Sequence, residues 1–253
     1  MKAPSMKRAW LDFAALVLPT ACAGCDEPDV GLCSSCLAEL ADEPHRVDEQ
    51  APRLPPGLEA WAGPAFEGPV RDVLTGYKDR GRRDLGGRLA LALAGVLAAW
   101  ASSFGGPAER IIVVPVPSSQ AAVRRRGEDT WWRCTRRACR LLSRSGQPAV
   151  AVRTLRATRT TADQAGLTAL RRAVNKQHSM TVRRTTARNA VPGTGCDAGS
   201  RVVLVDDVVT TGATIAEAHR ALTEAGLRVD GAAAIAATPR RDDGASDSRT
   251  HRS

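Results

Sequence analysis

The sequence has few aromatic residues, and we expect none of its apolar runs to cross a membrane. Aromatic residues make up 4% of the 253 residues, so alanine, valine and leucine supply most of the apolar side chains. Together with alternating strand and helix patterns, this composition favours an α/β fold over an all-β fold. The longest apolar stretch near the N-terminus, residues 9–19, contains Asp12 and is shorter than the roughly 20 residues that span a bilayer. We therefore expect a cytoplasmic protein without stable membrane insertion.

A signal peptide is the alternative interpretation of the N-terminus, because Lys7 and Arg8 precede the apolar stretch. Asp12 within the stretch and Pro19 at its end argue against secretion or lipidation. Four apolar residues instead fall on one helical face: Trp10, Phe13, Ala14 and Val17. The pattern predicts a short helix that packs on the protein or touches the inner face of a membrane.

Acidic residues are scarce in the middle of the chain. Residues 121–190 contain 17 Lys and Arg against three acids, in a chain whose net charge is +9. So basic a segment predicts an anionic partner, which is a phosphorylated small molecule, a nucleic acid or both. A solvated arginine-rich surface without a ligand is the alternative.

The sequence also lacks a recognisable Cys–His or Ser–His–Asp catalytic arrangement. Each histidine is without a convincing partner and is predicted to lie at the surface: His45, His178, His219 and His251. The pattern gives no support to nucleophilic catalysis by these side chains.

Four of the seven cysteines form two C-x-x-C pairs separated by seven residues: Cys22, Cys25, Cys33 and Cys36. Four thiolates at this spacing predict one tetrahedral zinc site with a structural role. Disulfides are the alternative, and the absence of a convincing secretion signal disfavours them. We therefore predict a small zinc-ribbon-like module.

The predicted organisation has four parts. These are an N-terminal helix with the four-cysteine module (residues 1–43), a proline-rich linker (44–69), the main domain (70–238) and a disordered tail (239–253). The helices expected in the main domain are at residues 84–102, 131–144 and 214–225, and the strands at residues 111–116, 150–155, 201–206 and 232–237. Their alternation predicts a parallel sheet with right-handed crossovers and flanking helices.

The most informative segment is residues 202–214, an apolar strand followed by two acids and a threonine-rich turn. Asp206 and Asp207 stand at the carboxyl end of the strand, where open α/β sheets bind ligands. The turn at residues 210–214 leads into a helix, so backbone N–H groups and the helix dipole converge where a monophosphate can bind. Carboxylates beside such a turn suit sugar hydroxyls or a hydrated Mg²⁺ ion. The segment predicts a ribose 5-phosphate site; an ordinary buried strand with a capped helix is the alternative.

All 13 positions of this segment resemble the signature that binds phosphoribosyl pyrophosphate (PRPP) in type I phosphoribosyltransferases. The resemblance implies that Asp206 and Asp207 contact the ribose hydroxyls and that Mg²⁺ accompanies PRPP. It also implies which residues cradle the 5-phosphate: Thr210, Thr211, Gly212, Ala213 and Thr214. The expected fold is accordingly a type I phosphoribosyltransferase-like sheet.

Further stretches carry a second resemblance. They are Tyr77-Lys78 with Gly81 and Leu85, residues 114–117 with Arg124, Arg126 and Gly127, residues 160–167 with Gln164, and Arg172 with Asn175. With the four-cysteine module, they resemble the ComF family of late-competence proteins over about residues 20–238. This resemblance implies a role in DNA uptake and partners in the competence machinery. At residues 128–130 the chain has Glu-Asp-Thr where this family often has Phe-Asn-Gln.

The same resemblance implies further site residues. In such enzymes the loop after the first sheet strand meets pyrophosphate, here Pro115, Val116, Pro117 and Ser118. A mobile loop, here residues 159–175, closes over the site. The implied catalytic residues are Asp206 and Asp207, with Lys78, Arg124 and Arg159 beside the leaving group and Arg126 as a further candidate. The acceptor that attacks the sugar is not implied.

A non-enzymatic nucleotide or single-stranded DNA binding module that reuses the fold is the alternative function. Arginines form a stripe on the helix predicted at residues 131–144: Arg133, Arg136, Arg137 and Arg140. Trp131 and Trp132 stand beside this stripe, where they could stack on bases or belong to the core.

Overall fold

The computed structural model describes residues 21–105, 110–158, 179–183 and 199–239. Three predictions lie outside these ranges: the N-terminal helix, the loop of residues 159–175 with Arg159, and the tail from residue 240. The described ranges contain six α-helices and eight strands.

Six of the eight strands form one sheet. The strands are β1 (His45–Arg46), β2 (Ala60–Ala62), β3 (Arg110–Pro115), β4 (Ala149–Ala151), β5 (Leu155–Ala157), β6 (Met180–Val182), β7 (Ser200–Val209) and β8 (Gly231–Ala237). The sheet order is β1-β2-β8-β7-β3-β4, while β5 and β6 form a separate antiparallel pair. Only β1 runs antiparallel to its neighbour among the six described strands of the sheet.

Helices cover both faces of this sheet. They are α1 (Ser34–Leu40), α2 (Gly68–Asp79), α3 (Gly86–Ser102), α4 (Gln120–Arg126), α5 (Thr130–Arg144) and α6 (Ala213–Glu224). On one face, α3 and α5 pack through residues such as Leu93 and Ala138 against Val113 and Val203. On the other face, α6 packs through Leu222. The structure confirms the predicted α/β fold class, a mostly parallel sheet between helices.

The central strands are apolar along their length because both of their faces are buried. In the β3–β7 pair, Ile112 lies opposite Val202 and Val114 opposite Leu204, and all four are buried on the α6 side. Such burial holds the strand ends in a fixed register. The loops at the carboxyl end of the sheet therefore start from fixed positions.

β8 consists of small residues because a helix lies close against it. A Cβ atom at Gly231 would overlap Nε1 of Trp100 on α3, so this position requires glycine. Trp100 is itself fully buried in the cluster between α3 and the sheet. The close approach explains why β8 begins with glycine.

Residues 44–69 differ from the predicted linker. They contribute β1 and β2, and Ala60–Ala62 pairs in parallel with residues 232–234 of β8. Ala51 and Leu58 are buried on the α6 side of the sheet. Their proline-rich composition suggested a linker, because strands of two and three residues are too short to show a periodic pattern.

Two boundaries also differ from the predictions. β7 continues to Val209, so Asp206 and Asp207 lie within the strand and not after it. The single strand expected at residues 150–155 is divided into β4, which joins the sheet, and β5, which pairs with β6. Residues 152–154 separate these two strands.

One segment, Arg83–Ser102, is long and apolar enough to cross a membrane by length and composition, with a mean hydropathy of 1.5. Half of it is buried inside the protein. Its apolar side chains, Leu89, Leu93 and Leu97 among them, pack in the cluster with α5 and the sheet. This packing is that of a core helix.

Candidate functional site

A cavity of about 560 Å³, the first cavity, opens at the carboxyl end of the sheet. The carboxyl ends of parallel strands share one edge, so the segments after β3 and β7 meet there. Its charged and polar lining residues are Tyr77, Lys78, Asp79, Ser118, Ser119, Arg126, Thr130, Asp206, Asp207, Thr210 and Thr214. The cavity thus brings together both predicted acids, two of the predicted threonines and two of the predicted cations, Lys78 and Arg126.

The two acids occupy successive positions of β7 and have different surroundings. Asp207 is buried, with 8% of its surface exposed, whereas Asp206 is half-buried. The side chain of each acid accepts a hydrogen bond from the next backbone N–H, 2.9 Å from Asp207 N to Asp206 Oδ1 and 2.8 Å from Val208 N to Asp207 Oδ1. These bonds hold both carboxylates at the cavity wall. Carboxylates so placed can accept hydrogen bonds from sugar hydroxyls or ligate a divalent cation.

Lys78 provides the counter-charge for Asp207. It lies in the last turn of α2, and its ammonium group forms an ion pair with the Asp207 carboxylate. Burial lowers the pKa of Lys78, while the negative charges of Asp206 and Asp79 act in the opposite direction. The backbone carbonyl of Lys78 accepts a hydrogen bond of 2.5 Å from Arg126, so two cations are held next to the acids.

The threonine-rich turn leads directly into the N-terminus of α6. Gly212 has φ of +78° and is the N-cap of α6, which has no side-chain cap. The first N–H groups of a helix lack intrahelical partners and, with the helix dipole, favour an anion. Thr210 and Thr214 line the first cavity, and Thr211 is exposed beside them.

The turn is supported from behind by the segment predicted as a linker. Arg53 N donates a hydrogen bond of 2.9 Å to the Thr211 carbonyl. A Cβ atom at Gly212 would lie 2.7 Å from Leu54 Cγ, so glycine is required by this contact as well as by φ. No sequence pattern predicts this support, because its contacts involve backbone atoms and one leucine.

The predicted pyrophosphate loop connects β3 to α4. Its course is fixed at one end by a hydrogen bond of 2.8 Å from Val116 N to the Val205 carbonyl of β7. At the other end, Ser119 is the N-cap of α4 and accepts a bond from Ala122 N. Val116, Pro117 and Ser118 line the first cavity, whereas Pro115 does not.

Arg124 and Arg126 both lie on α4 but line different cavities. Arg126 lines the first cavity, and its Nε is buried without a hydrogen-bond partner in the described ranges. Arg124 lines a neighbouring cavity of about 320 Å³, the second cavity. The structure therefore brings Arg126 to the acids and leaves Arg124 outside that group. Arg159 lies outside the described residues.

The four arginines of the predicted stripe are exposed on α5. Arg133 forms an ion pair with Glu128, which also pairs with Arg83. A third cavity of about 330 Å³ is lined by Arg83, Arg133, Arg136, Arg137 and Arg140 together with Tyr77 and Glu128. Trp131 is buried, and Trp132 is half-buried with its ring 5.9 Å from the Arg136 guanidinium carbon. The four arginines thus lie exposed on α5, and Glu128 neutralises part of their charge.

The four cysteines of the N-terminal module converge. Their sulfur atoms all lie within 4.8 Å of one another, and three of the four residues are buried. Backbone N–H groups donate to the sulfurs, from Gly24 and Cys33 to Cys22 and from Cys36 to Cys33. Burial raises the pKa of the Cys22 thiol, but these backbone donors outweigh it and the pKa falls to about 6. Four converging thiols with N–H donors fit a tetrahedral metal ion such as zinc.

Arg82 connects the main domain to the cysteine module through hydrogen bonds. It donates hydrogen bonds of 3.1 Å to the Ala21 carbonyl and 2.7 Å to the Gly31 carbonyl, and it pairs with Asp84. Sequence reasoning missed this residue, since its partners are backbone carbonyls. Asp129 was missed as well, although an acid directly before a helix is a recognisable N-cap signal.

One family model matches a part of the chain that includes β7 and the turn after it. Residues 161–250 match the family model described as the phosphoribosyl transferase domain. Over 43 residues the chain is 54% identical to adenine phosphoribosyltransferase from Mycolicibacterium gilvum, a segment that covers 17% of this chain and 24% of that protein. The chain thus matches about a quarter of that relative's length.

Solved structures were matched as well. One is a hypoxanthine phosphoribosyl transferase from Trypanosoma cruzi, at 16% identity and a TM-score of 0.32, covering 62% of this chain and 75% of that chain. Another is an HPRT mutant in which glutamic acid replaces an invariant aspartic acid. Its identity to this chain is 16% and the TM-score is 0.31, with 62% of this chain and 79% of that chain covered.

The family match includes both acids of β7 and the whole turn of residues 210–214. Residues 161–250 therefore resemble a phosphoribosyl transferase domain. The carboxyl-edge cavity, which contains both acids of β7, is the candidate functional site.

Proposed function

We propose that this chain is a phosphoribosyltransferase that binds PRPP, or another ribose 5-phosphate compound, in the first cavity. The observation that carries the proposal is the meeting of Asp206, Asp207, Thr210 and Thr214 in one cavity at a helix N-terminus. Asp206 and Asp207 accept hydrogen bonds from the ribose hydroxyls. Residues 210–214 bind the 5-phosphate through hydroxyl and backbone N–H groups.

The proposed reaction is displacement at C1 of the ribose. A bond forms between C1 and the acceptor, and the bond from C1 to the pyrophosphate oxygen breaks, so that pyrophosphate leaves with the electron pair. Residues 115–118 bind the pyrophosphate, and Lys78 and Arg126 neutralise its charge from within the cavity. Arg124 and Arg159 are proposed as further cations that act from outside this group.

Two metal ions belong to the proposal. The paired carboxylates of Asp206 and Asp207 suit Mg²⁺, which supplies positive charge to the pyrophosphate when PRPP is bound. Cys22, Cys25, Cys33 and Cys36 hold Zn²⁺ in a structural role, because four thiolates leave no open position for catalysis.

We further propose that the chain is of the ComF type and acts in the cytoplasm, in DNA uptake and with partners in the competence machinery. The support is the four-cysteine module attached to a domain with the PRPP signature. A position at the inner face of a membrane is compatible with this role.

A non-enzymatic role in binding nucleotides or single-stranded DNA is the second candidate function. The observation that favours it is the third cavity, which is lined by four exposed arginines of α5 and by Arg83. Of these, Arg83 and Arg133 pair with Glu128. Arg137 and Arg140 form no ion pair within the described ranges. An oligonucleotide backbone would find there the positive charge that it requires.

Ligand-dependent melting tests the first candidate. PRPP with Mg²⁺ should raise the melting temperature of the full chain, because a ligand that binds only the folded state stabilises it. Ribose 5-phosphate should produce a smaller rise, and the rise should persist in Asp42→Asn, an exposed acid outside the cavity. Absence of any rise at millimolar PRPP would exclude this proposal.

Salt-dependent oligonucleotide binding tests the second candidate. Binding should weaken steeply with salt and disappear when Arg136, Arg137 and Arg140 are all changed to Ala. Retained binding in that triple variant would exclude the stripe as the contact surface.

A further inference from the structure

The second cavity shares Val116, Pro117, Ser118 and Trp131 with the first cavity but contains neither acid of β7. It lies between α4, the start of α5 and the β5–β6 pair. Its volume of about 320 Å³ is at the lower end of the roughly 300–1,000 Å³ typical of small-molecule sites. The cavity is therefore large enough for one substituted ring and too small for a folded polymer segment.

The charge of this cavity is strongly positive. Four arginines line it, from three different parts of the chain: Arg124, Arg153, Arg156 and Arg183. Asp129 is the one carboxylate among its lining residues. Asp129 is also fully engaged, since its two oxygens accept from Ser118 Oγ at 3.2 Å, Trp132 N at 3.1 Å and Arg153 at 2.9 Å. Three guanidinium groups therefore remain without a carboxylate within the cavity.

The geometry of these arginines leaves donors for a ligand. Arg156 donates through Nε to Thr181, and Arg183 donates through Nε to the Leu155 carbonyl. Each bond restrains one exposed guanidinium group through its Nε atom. A guanidinium group has five N–H donors, so both retain donors beyond the bond that positions them.

The cavity also has an aromatic wall. Trp132 is half-buried, and the guanidinium carbon of Arg153 lies 4.6 Å from the centre of its ring. Asp129 holds both members of this stack, because it accepts from the Trp132 backbone and pairs with Arg153. A planar ligand can pack against a stack of this kind without a cost for ordering it.

We propose that the second cavity is a binding site for a small planar anion, an aromatic or heteroaromatic ring that carries carboxylate or phosphate groups. The ring packs on the Trp132–Arg153 stack, and the anionic groups accept hydrogen bonds from Arg124, Arg156 and Arg183. The site is distinct from the PRPP site, and its occupation requires no turnover. Through Asp129 and Ser118 it borders the proposed pyrophosphate loop.

Calorimetric titration of the full chain with isophthalate, a planar aromatic dianion, tests the proposal. Two comparison probes separate the contribution of the ring from that of the charge. Isophthalamide has the same ring without charge, and malonate has the two carboxylates without a ring. We expect isophthalate to bind one equivalent at least tenfold more tightly than either comparison probe. Equal binding of isophthalamide, or of malonate, would contradict the proposed combination of ring and charge.

Variants locate the binding. Trp132→Ala and Arg156→Ala should each weaken isophthalate binding about tenfold or more, since one charge-assisted hydrogen bond or one stacking contact corresponds to at least about that factor. Trp132→Phe retains a ring and should retain most of the affinity. The matched control is Arg140→Ala. Arg140 is exposed on α5, the helix that carries Trp132, and lies outside this cavity.

Two results would overturn the proposal. One is unchanged isophthalate binding in both Arg156→Ala and Trp132→Ala. The other is loss of isophthalate binding in the Asp206→Asn, Asp207→Asn double variant, which would place the probe in the first cavity. That double variant should lose PRPP binding and keep isophthalate binding, so failure of the PRPP proposal and failure of this one give different results.

Discussion

Lys78 and Asp207 form an ion pair that joins the last turn of α2 to the end of β7 across the first cavity. Asp207 is buried, and Lys78 is the cation that compensates its charge in the part of the chain that the structure describes. In the proposed reaction, Lys78 also neutralises charge on the departing pyrophosphate. The pair thus links the stability of the folded protein to the chemistry that we propose.

The Lys78–Asp207 pair predicts a measurable coupling. Lys78→Met should lower the free energy of unfolding by about 2 kcal/mol, because it leaves a buried carboxylate without its partner. The figure is below that of a fully buried pair, since 43% of the Lys78 side chain is exposed. Urea denaturation measures it.

A double-mutant cycle separates this pair from general effects of Lys78. In an Asp207→Asn background, Lys78→Met should cost much less, and Lys78→Arg should retain most of the stability. Equal costs in both backgrounds would show that the two side chains do not interact.

Gly212 offers a test of the phosphate turn, with Gly226 as a matched control. Both residues have similar φ, +78° and +76°, but a Cβ atom at Gly212 would lie 2.7 Å from Leu54 Cγ, whereas nothing lies within 4 Å at Gly226. Gly226→Ala should therefore cost about 1 kcal/mol of stability from backbone strain alone. Gly212→Ala should cost about 1–3 kcal/mol more and abolish the stabilisation by PRPP.

The comparison of these two alanine variants is decisive for the turn. Thermal melting with and without PRPP measures both the loss of stability and the stabilisation by PRPP. If the two variants lose the same stability and both keep the PRPP response, the packing of the turn on Leu54 is unimportant for binding.

Zinc removal should unfold the cysteine module. Protein purified without chelator should contain about one zinc per chain, and Cys36→Ser should lose the metal and melt at a lower temperature. Cys139→Ala is the control, because this buried cysteine belongs to the core between α5 and the sheet. Metal analysis that finds less than about half an equivalent in the wild type would contradict the zinc assignment.

Burial raises the pKa of the core thiols Cys134 and Cys139 to about 12. A raised folded-state pKa contributes stability that is present below the unfolded-state value of 9.0 and is lost as the pH rises through about 12. We therefore expect stability to fall from pH 9 toward pH 12.

Alkylation with iodoacetamide, mapped by mass spectrometry, checks the same pair of thiols. Both should resist labelling at pH 8 in the folded protein, because the thiol is buried and protonated. Both should react after unfolding. Rapid labelling of either residue in the folded state would contradict their position in the core.

The sequence was most informative where one physical requirement dictates residue types over a continuous stretch. Residues 202–214 combine a buried strand, paired acids and a hydroxyl-rich turn, and the structure places the acids and two of the threonines in one cavity. The convergence of the four cysteines was equally predictable, because two closely spaced pairs are typical of structural zinc sites.

Contacts between distant segments were not predictable. Lys78 could be named from the sequence, but its pairing with Asp207 depends on the docking of α2 beside β7. Arg82 binds backbone carbonyls of the cysteine module, and Leu54 packs on Gly212, without any periodic pattern to indicate either contact. For the same reason, the sequence of residues 44–69 predicts a linker and not the two short strands that the structure has there.

The most direct test is a calorimetric titration of the full chain with PRPP in the presence of Mg²⁺, compared with the Asp206→Asn, Asp207→Asn double variant. We predict saturable binding of one PRPP per chain to the wild type and affinity at least about 100-fold lower in the double variant, which loses two charged acceptors. No binding to the wild type at millimolar PRPP, or equal affinity in the double variant, would contradict a ribose 5-phosphate site at the end of β7.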